Sequence, residues 1–147
     1  MATMDDVRKM SMADHGLAVV STTRADGSVH STLVNAGVMN HPVTGAVVVA
    51  FVVRGNALKR TLLRKSGRAS LVFRSGWRWA GVEGPVDLIG PDDDGDGFAT
   101  GDVPALLRDV FTAAGGTHDN WDEYDRVMAA EGRAAVFITP TRVLGDA

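Results

Sequence analysis

The sequence predicts a mainly β, antiparallel barrel, and three observations carry that prediction. Asp26-Gly27 stands between two runs rich in β-branched residues, Leu17 to Thr23 and Val29 to Val38. This is a strong short hairpin signal, because the tight turn needs positive φ. Ala46 to Val53 is apolar without alternation, so it reads as a strand covered on both faces. Five or six strand-like segments, with few helices and those late in the chain, favour a barrel over a doubly wound parallel sheet.

Taken in order, Met4 to Ala13 carries a weak helical period. The hairpin follows, and a second turn at Asn40 to Gly45 joins it to the apolar strand, giving a three-stranded meander from Leu17 to Val53. Asn56 is placed to cap a helix that Gly67 ends in the left-handed conformation, with Leu58, Leu62 and Leu63 on one face. Arg68 to Arg74 is the next strand. Ser75-Gly76 then turns into Trp77 to Ile89, where Trp77, Trp79, Gly81 and Glu83 share one face. Gly90 to Gly101 is an acidic loop. Helices are expected over Val103 to Ala114 and Trp121 to Ala130, and Arg133 to Thr139 is the closing strand before Pro140. At 147 residues, with no repeat or low-complexity linker, a single domain over 1–147 is expected.

Composition removes several function classes. The absence of Cys excludes a disulfide framework, a thiolate metal site and a Cys nucleophile. The longest apolar run, Gly45 to Val53, is far shorter than the ~20 residues of a membrane-spanning helix. Met1 to Gly16 contains no apolar signal core, so a soluble cytoplasmic protein is expected. No two histidines stand at local metal-ligand spacing, and no nucleophile elbow or phosphate-binding glycine motif is present. Asp92, Asp94, Asp96 and Gly97 match the start of a calcium loop, but Val103 stands where that loop needs its bidentate Glu. A solvated turn is the expectation there.

The net charge of −3 argues against nucleic-acid binding, yet it hides an asymmetry. Between Gly27 and Val82 the chain has eight basic residues and no acid; the remainder has seven basic and 18 acidic residues. The basic segment therefore either meets an anionic ligand or faces acidic surfaces of its own chain or a partner. Arg64 and Lys65 sit near the end of the expected helix, where cations suit the helix dipole. Lys59 and Arg60 sit near its start, which makes a phosphate seat. Glu83 is expected to pair with one of the basic residues. Trp121, Tyr124 and Met128 share a helical face and read as packing. With acid–base candidates scarce, an imported cofactor carrying the chemistry is the economical reading.

Several segments together resemble the flavin/deazaflavin oxidoreductases, split barrels related to pyridoxamine 5′-phosphate oxidase. They are Ala25 to His30, the strand before Arg54, Lys59 to Ser70 and Val82-Glu-Gly84. Trp121 to Tyr124 and Phe137 to Gly145 look like the actinobacterial branch that binds the deazaflavin coenzyme F-420. The resemblance implies an antiparallel six-stranded split barrel with flanking helices, working as a homodimer with the cofactor in an interface groove. It places Lys59 on the cofactor phosphate, helped by Arg60, Arg54 and Arg64. It puts Thr32 and Trp77 near the ring and the backbone ending at Val53 beneath it. Ala57 departs from the family pattern, where an arginine is common. The activity implied is hydride transfer from reduced deazaflavin to a conjugated or heteroaromatic small molecule, with no catalytic residue assigned. Three alternatives stay open: an FMN-dependent oxidase-like enzyme, a non-catalytic cofactor carrier, and a phosphate- or nucleic-acid-binding module.

Overall fold

The computed structural model describes residues 1–93 and 97–146. Strands β1 (Leu17–Thr23) and β2 (Val29–Asn40) form the expected hairpin, paired Val20 to Thr32 at its centre. At its tip Gly27 takes φ 86°, and the Asp26 carboxylate accepts the backbone N–H of Ser28 at 2.9 Å. β2 pairs with β3 (Val47–Val53), which completes the meander. Helix α2 (Leu58–Ser66) then crosses to β4 (Arg68–Ser75), and Gly67 ends it at φ 68° with its N–H on the Leu63 carbonyl.

Strand β5 (Arg78–Ile89) closes the barrel. Its first half pairs with β4 and its second half with β6 (Ala134–Ile138), which also pairs with β3. Since β4 also pairs with β1, six antiparallel strands form a closed ring. A seventh strand, β7 (Arg142–Asp146), adds to the outer edge of β5. Helix α1 (Met4–Ala13) packs against the barrel through Val7 and Met10. Helices α3 (Val103–Ala113) and α4 (Trp121–Ala130) pack outside β3 and β6.

Two apolar cores result, and they explain the unalternating strands. Val49, Phe51 and Val53 of β3 point into the barrel with Leu71, Phe73 and Ile138. Val48 and Ala50 point outward against Leu106, Leu107 and Val110 of α3. A strand clad on both faces has no polar positions to alternate. No helix among the described residues is long and apolar enough to cross a membrane.

Several local expectations are corrected. The residue capping α2 is Ala57, not Asn56, and no side chain caps that helix. Leu58 is exposed, while Leu62 and Leu63, with the buried Arg60, carry the buried face. The chain does not end its sheet before Pro140, because β7 resumes after the bend. Glu83 pairs with Arg142 of β7 at 3.8 Å rather than with the basic segment. Of the candidate calcium residues, Asp94 and Asp96 lie outside the described residues.

Candidate functional site

A cavity of about 460 Å³ opens where β3 ends and α2 begins. One wall is β-sheet: Leu33, Val34 and Asn35 of β2 and Val52 to Arg54 of β3. The opposite wall comes from the helices, through Val110, Phe111 and Ala114 of α3 and Tyr124 and Met128 of α4. Its volume lies within the range of small-molecule sites, ~300–1,000 Å³.

The cavity joins an apolar interior to a cationic end. Phe111 and Tyr124 pack with ring centroids 5.0 Å apart, backed by Trp121 at 5.3 Å from Tyr124. The Tyr124 hydroxyl donates to the Leu107 carbonyl at 3.1 Å, and burial pushes its pKa up to about 12. It is therefore a neutral wall at neutral pH. At the other end stand Arg54, Lys59 and Arg133. Glu131 lies between the two arginines, 2.9 Å from Arg133 and 3.5 Å from Arg54. Among the described residues Lys59 has no carboxylate partner. Burial, and then the nearby Arg133, lower its pKa below the ordinary lysine value. One carboxylate among three cations leaves this end positive. The uncapped N-terminus of α2, at Ala57 on the same wall, adds the positive end of a helix dipole.

The residues singled out from the sequence divide into two groups. Lys59, Arg54 and Val53 line the cavity. Arg60, Arg64, Trp77 and Thr32 do not. Arg60 is buried and turned away: its Nε and Nη2 donate to Asp93 at 3.0 and 2.7 Å, and its Nη1 donates to the Gly55 carbonyl at 2.6 Å. Arg64 also bonds Asp93, and its Nη2 donates to the Asp92 carbonyl at 3.0 Å. These two arginines thus clamp the acidic loop onto α2, which also means that Asp93 is not a solvated turn residue. Trp77 sits in the turn before β5 and is 96% exposed. Thr32 is adjacent to the lining residue Leu33, and its buried Oγ1 has no hydrogen-bond partner among the described residues.

Arg133, Phe111 and Tyr124 were not foreseen as site residues. Tyr124 is also a packing residue, as its helical spacing predicts, since it is buried in the outer core. Arg133 gave no local signal: it lies far along the chain from the basic segment and reaches the cavity only because β6 pairs with β3.

No family model matches the sequence, and no curated protein matches it. Solved structures do. A conserved hypothetical protein, Rv2991, from Mycobacterium tuberculosis superposes with TM-score 0.70 at 17% identity, over 99% of this chain and 84% of that one. An F-420 reductase gives 0.63 at 14% identity, over 92% and 94% of the two chains. A pyridoxamine 5′-phosphate oxidase-related, FMN-binding protein from Nostoc punctiforme gives 0.61 at 13%, over 93% and 76%. Heme-binding proteins are also among the matches. At such identities the likeness is one of fold: the chain has the split β-barrel fold of these proteins.

Proposed function

We propose that this protein is an oxidoreductase that binds the deazaflavin coenzyme F-420 in the 460 Å³ cavity and reduces a conjugated or heteroaromatic small molecule there. The observation that carries the reading is the joining of an aromatic and aliphatic interior to an end holding Lys59, Arg54 and Arg133. A planar ring system bearing a phosphate needs both, and the residues present fit it. Reduced, such a cofactor supplies a hydride. The chain's own part is to bind, orient and shield.

Lys59 and Arg133 hold the phosphate, with Arg54 at the exposed rim. Arg133 takes the place of the arginine that the family pattern puts at Ala57, since both residues line the same cavity. Val52 and the main chain at Val53 support the ring from the sheet side, while Phe111 and Tyr124 exclude water from the helix side. Tyr124 keeps its proton and acts as a wall. An F-420 reductase and an FMN-binding protein among the structures of this fold support a flavin-type cofactor.

The working form in this reading is a homodimer. Leu33, Val19 and Val72 form an outward apolar row across β2, β1 and β4, with Val19 paired to both neighbours. Leu33 and Val19 are 63% and 46% exposed, and Trp77 is more exposed still. A second copy covers this face, and Trp77 approaches a ring site only as the partner copy's contribution.

The test is oxidation of reduced F-420, followed by its absorbance, in the presence of quinone, nitro and tetrapyrrole acceptors. Protein-dependent oxidation by at least one acceptor is expected. Tight binding of F-420 without turnover of any acceptor would mark a carrier, and binding of FMN or heme in its place would refute the deazaflavin assignment.

A further inference from the structure

Behind the main cavity lies a second one of about 270 Å³, between α4 and the start of α3. The two share a wall, formed by Met128 and Arg133. Its floor is Val103 and Leu107, both buried, and its rim includes the exposed Thr100 and Ala129. The one acid among the described residues of its wall, Asp125, is bound by Arg108, whose Nε donates to it at 2.9 Å. That carboxylate is held below the ordinary range by the Arg108 bond, so it is charged but already paired. Among the described residues the cavity therefore offers a mainly apolar surface whose carboxylate is paired.

Its size points to part of a ligand rather than a whole one. Complete small-molecule sites usually exceed ~300 Å³, whereas an apolar cavity of ~150 Å³ already admits benzene. The dividing residue, Met128, is unbranched and adaptable, so it can yield to a group that spans both spaces. The main cavity ends in three cations and suits the anionic cofactor; the second meets only Arg133, on the shared wall and already bonded to Glu131.

We infer that the second cavity is the subsite for an apolar arm of the acceptor, a ring or short alkyl chain whose reacting end lies in the main cavity. The inference rests on the oxidoreductase reading above for the identity of the molecule, but the apolar site can be probed without the cofactor.

The experiment is a calorimetric titration of the cofactor-free protein with n-butylbenzene, alongside Thr100→Trp and Ala129→Trp, which fill the cavity from opposite rims at exposed positions. The wild type is expected to bind at one saturable site. Each variant should bind at least tenfold more weakly, with its affinity for F-420 changed less than twofold. In the loaded enzyme, 4-butylnitrobenzene should be favoured over nitrobenzene in kcat/KM. Each buried methylene contributes about fourfold, so a preference above tenfold is expected, falling toward unity in the tryptophan variants. Absence of saturable butylbenzene binding, or binding and acceptor preference unchanged in both variants, overturns the inference. Butylbenzene binding that behaves as expected in a protein that does not bind F-420 refutes the cofactor reading and leaves the apolar site standing.

Discussion

Replacing Asp93 by Asn separates the two roles that arginines and lysines play around α2. Asp93 is bound by Arg60 through two nitrogens and by Arg64, and the side chains of Asp93 and Arg60 are only 9% and 7% exposed. Removing one partner of a buried pair costs about 3–5 kcal/mol, because the other charge is stranded. Here the cost falls at or just below the lower end: Asn keeps an acceptor oxygen, Arg60 keeps the Gly55 carbonyl at 2.6 Å, and Arg64 is partly solvated. A loss of about 2–3 kcal/mol follows. For a chain of this size each kcal/mol lowers Tm by roughly 2–4 °C, so Asp93→Asn should melt about 4–12 °C below wild type at pH 7. Burial alone would raise the Asp93 pKa, but the bonds from Arg64 and Arg60 outweigh it and hold the carboxyl below its ordinary value. Its stabilising effect is thus complete above the ordinary carboxylate range and is lost as pH falls through the lowered folded value. The Tm difference between wild type and variant should shrink along the same course. A variant melting within 1 °C of wild type across this range would refute the clamp, taking 1 °C as about the shift from a few tenths of a kcal/mol.

Other outcomes follow from the same geometry. Because burial and Arg133 lower the Lys59 pKa, phosphate-dependent cofactor binding should weaken as pH rises, below the ordinary lysine value of 10.5; Lys59→Arg should extend binding to higher pH. His41 accepts the backbone N–H groups of Val43 and Thr44 on Nδ1, so its proton sits on Nε2, facing Asp87 at 2.8 Å. His41→Leu strands those donors and should cost about 1–3 kcal/mol in urea denaturation. Val19→Glu, placed in the outward apolar row, should leave the fold intact by circular dichroism and shift sedimentation from dimer to monomer. An unchanged dimer would place the interface elsewhere.

Much of the barrel was legible because its signals are local. Asp26-Gly27 dictates a turn, Gly67 ends a helix, and an unbroken apolar strand at β3 demands cover on two sides. β7 is not legible because Thr139-Pro140 stops a strand and nothing in Arg142 to Asp146 alternates clearly; only the free edge of β5 makes it a strand. The site was half legible. Cations at the start of a helix point to an anion, but adjacent residues on a helix face different ways. Lys59 lines the cavity, while Arg60 turns to Asp93 in the loop after β5. Which cation serves structure depended on where the acidic loop lands, and no local pattern encodes that. The same holds for Arg133, whose place at the cavity depends on the pairing of β6 with β3.

The central claim is that Lys59, beside Arg54 and Arg133, holds the phosphate of a deazaflavin cofactor. Its most direct measurement is a calorimetric titration of wild type and Lys59→Ala with F-420 and, in parallel, with FMN. Wild type is expected to bind F-420 saturably and in preference to FMN. Lys59→Ala is expected to lose about ten- to hundredfold, the worth of one charge-assisted hydrogen bond, with Tm nearly unchanged. Equal F-420 affinity in the two proteins, or no binding of F-420 by wild type, would contradict the claim.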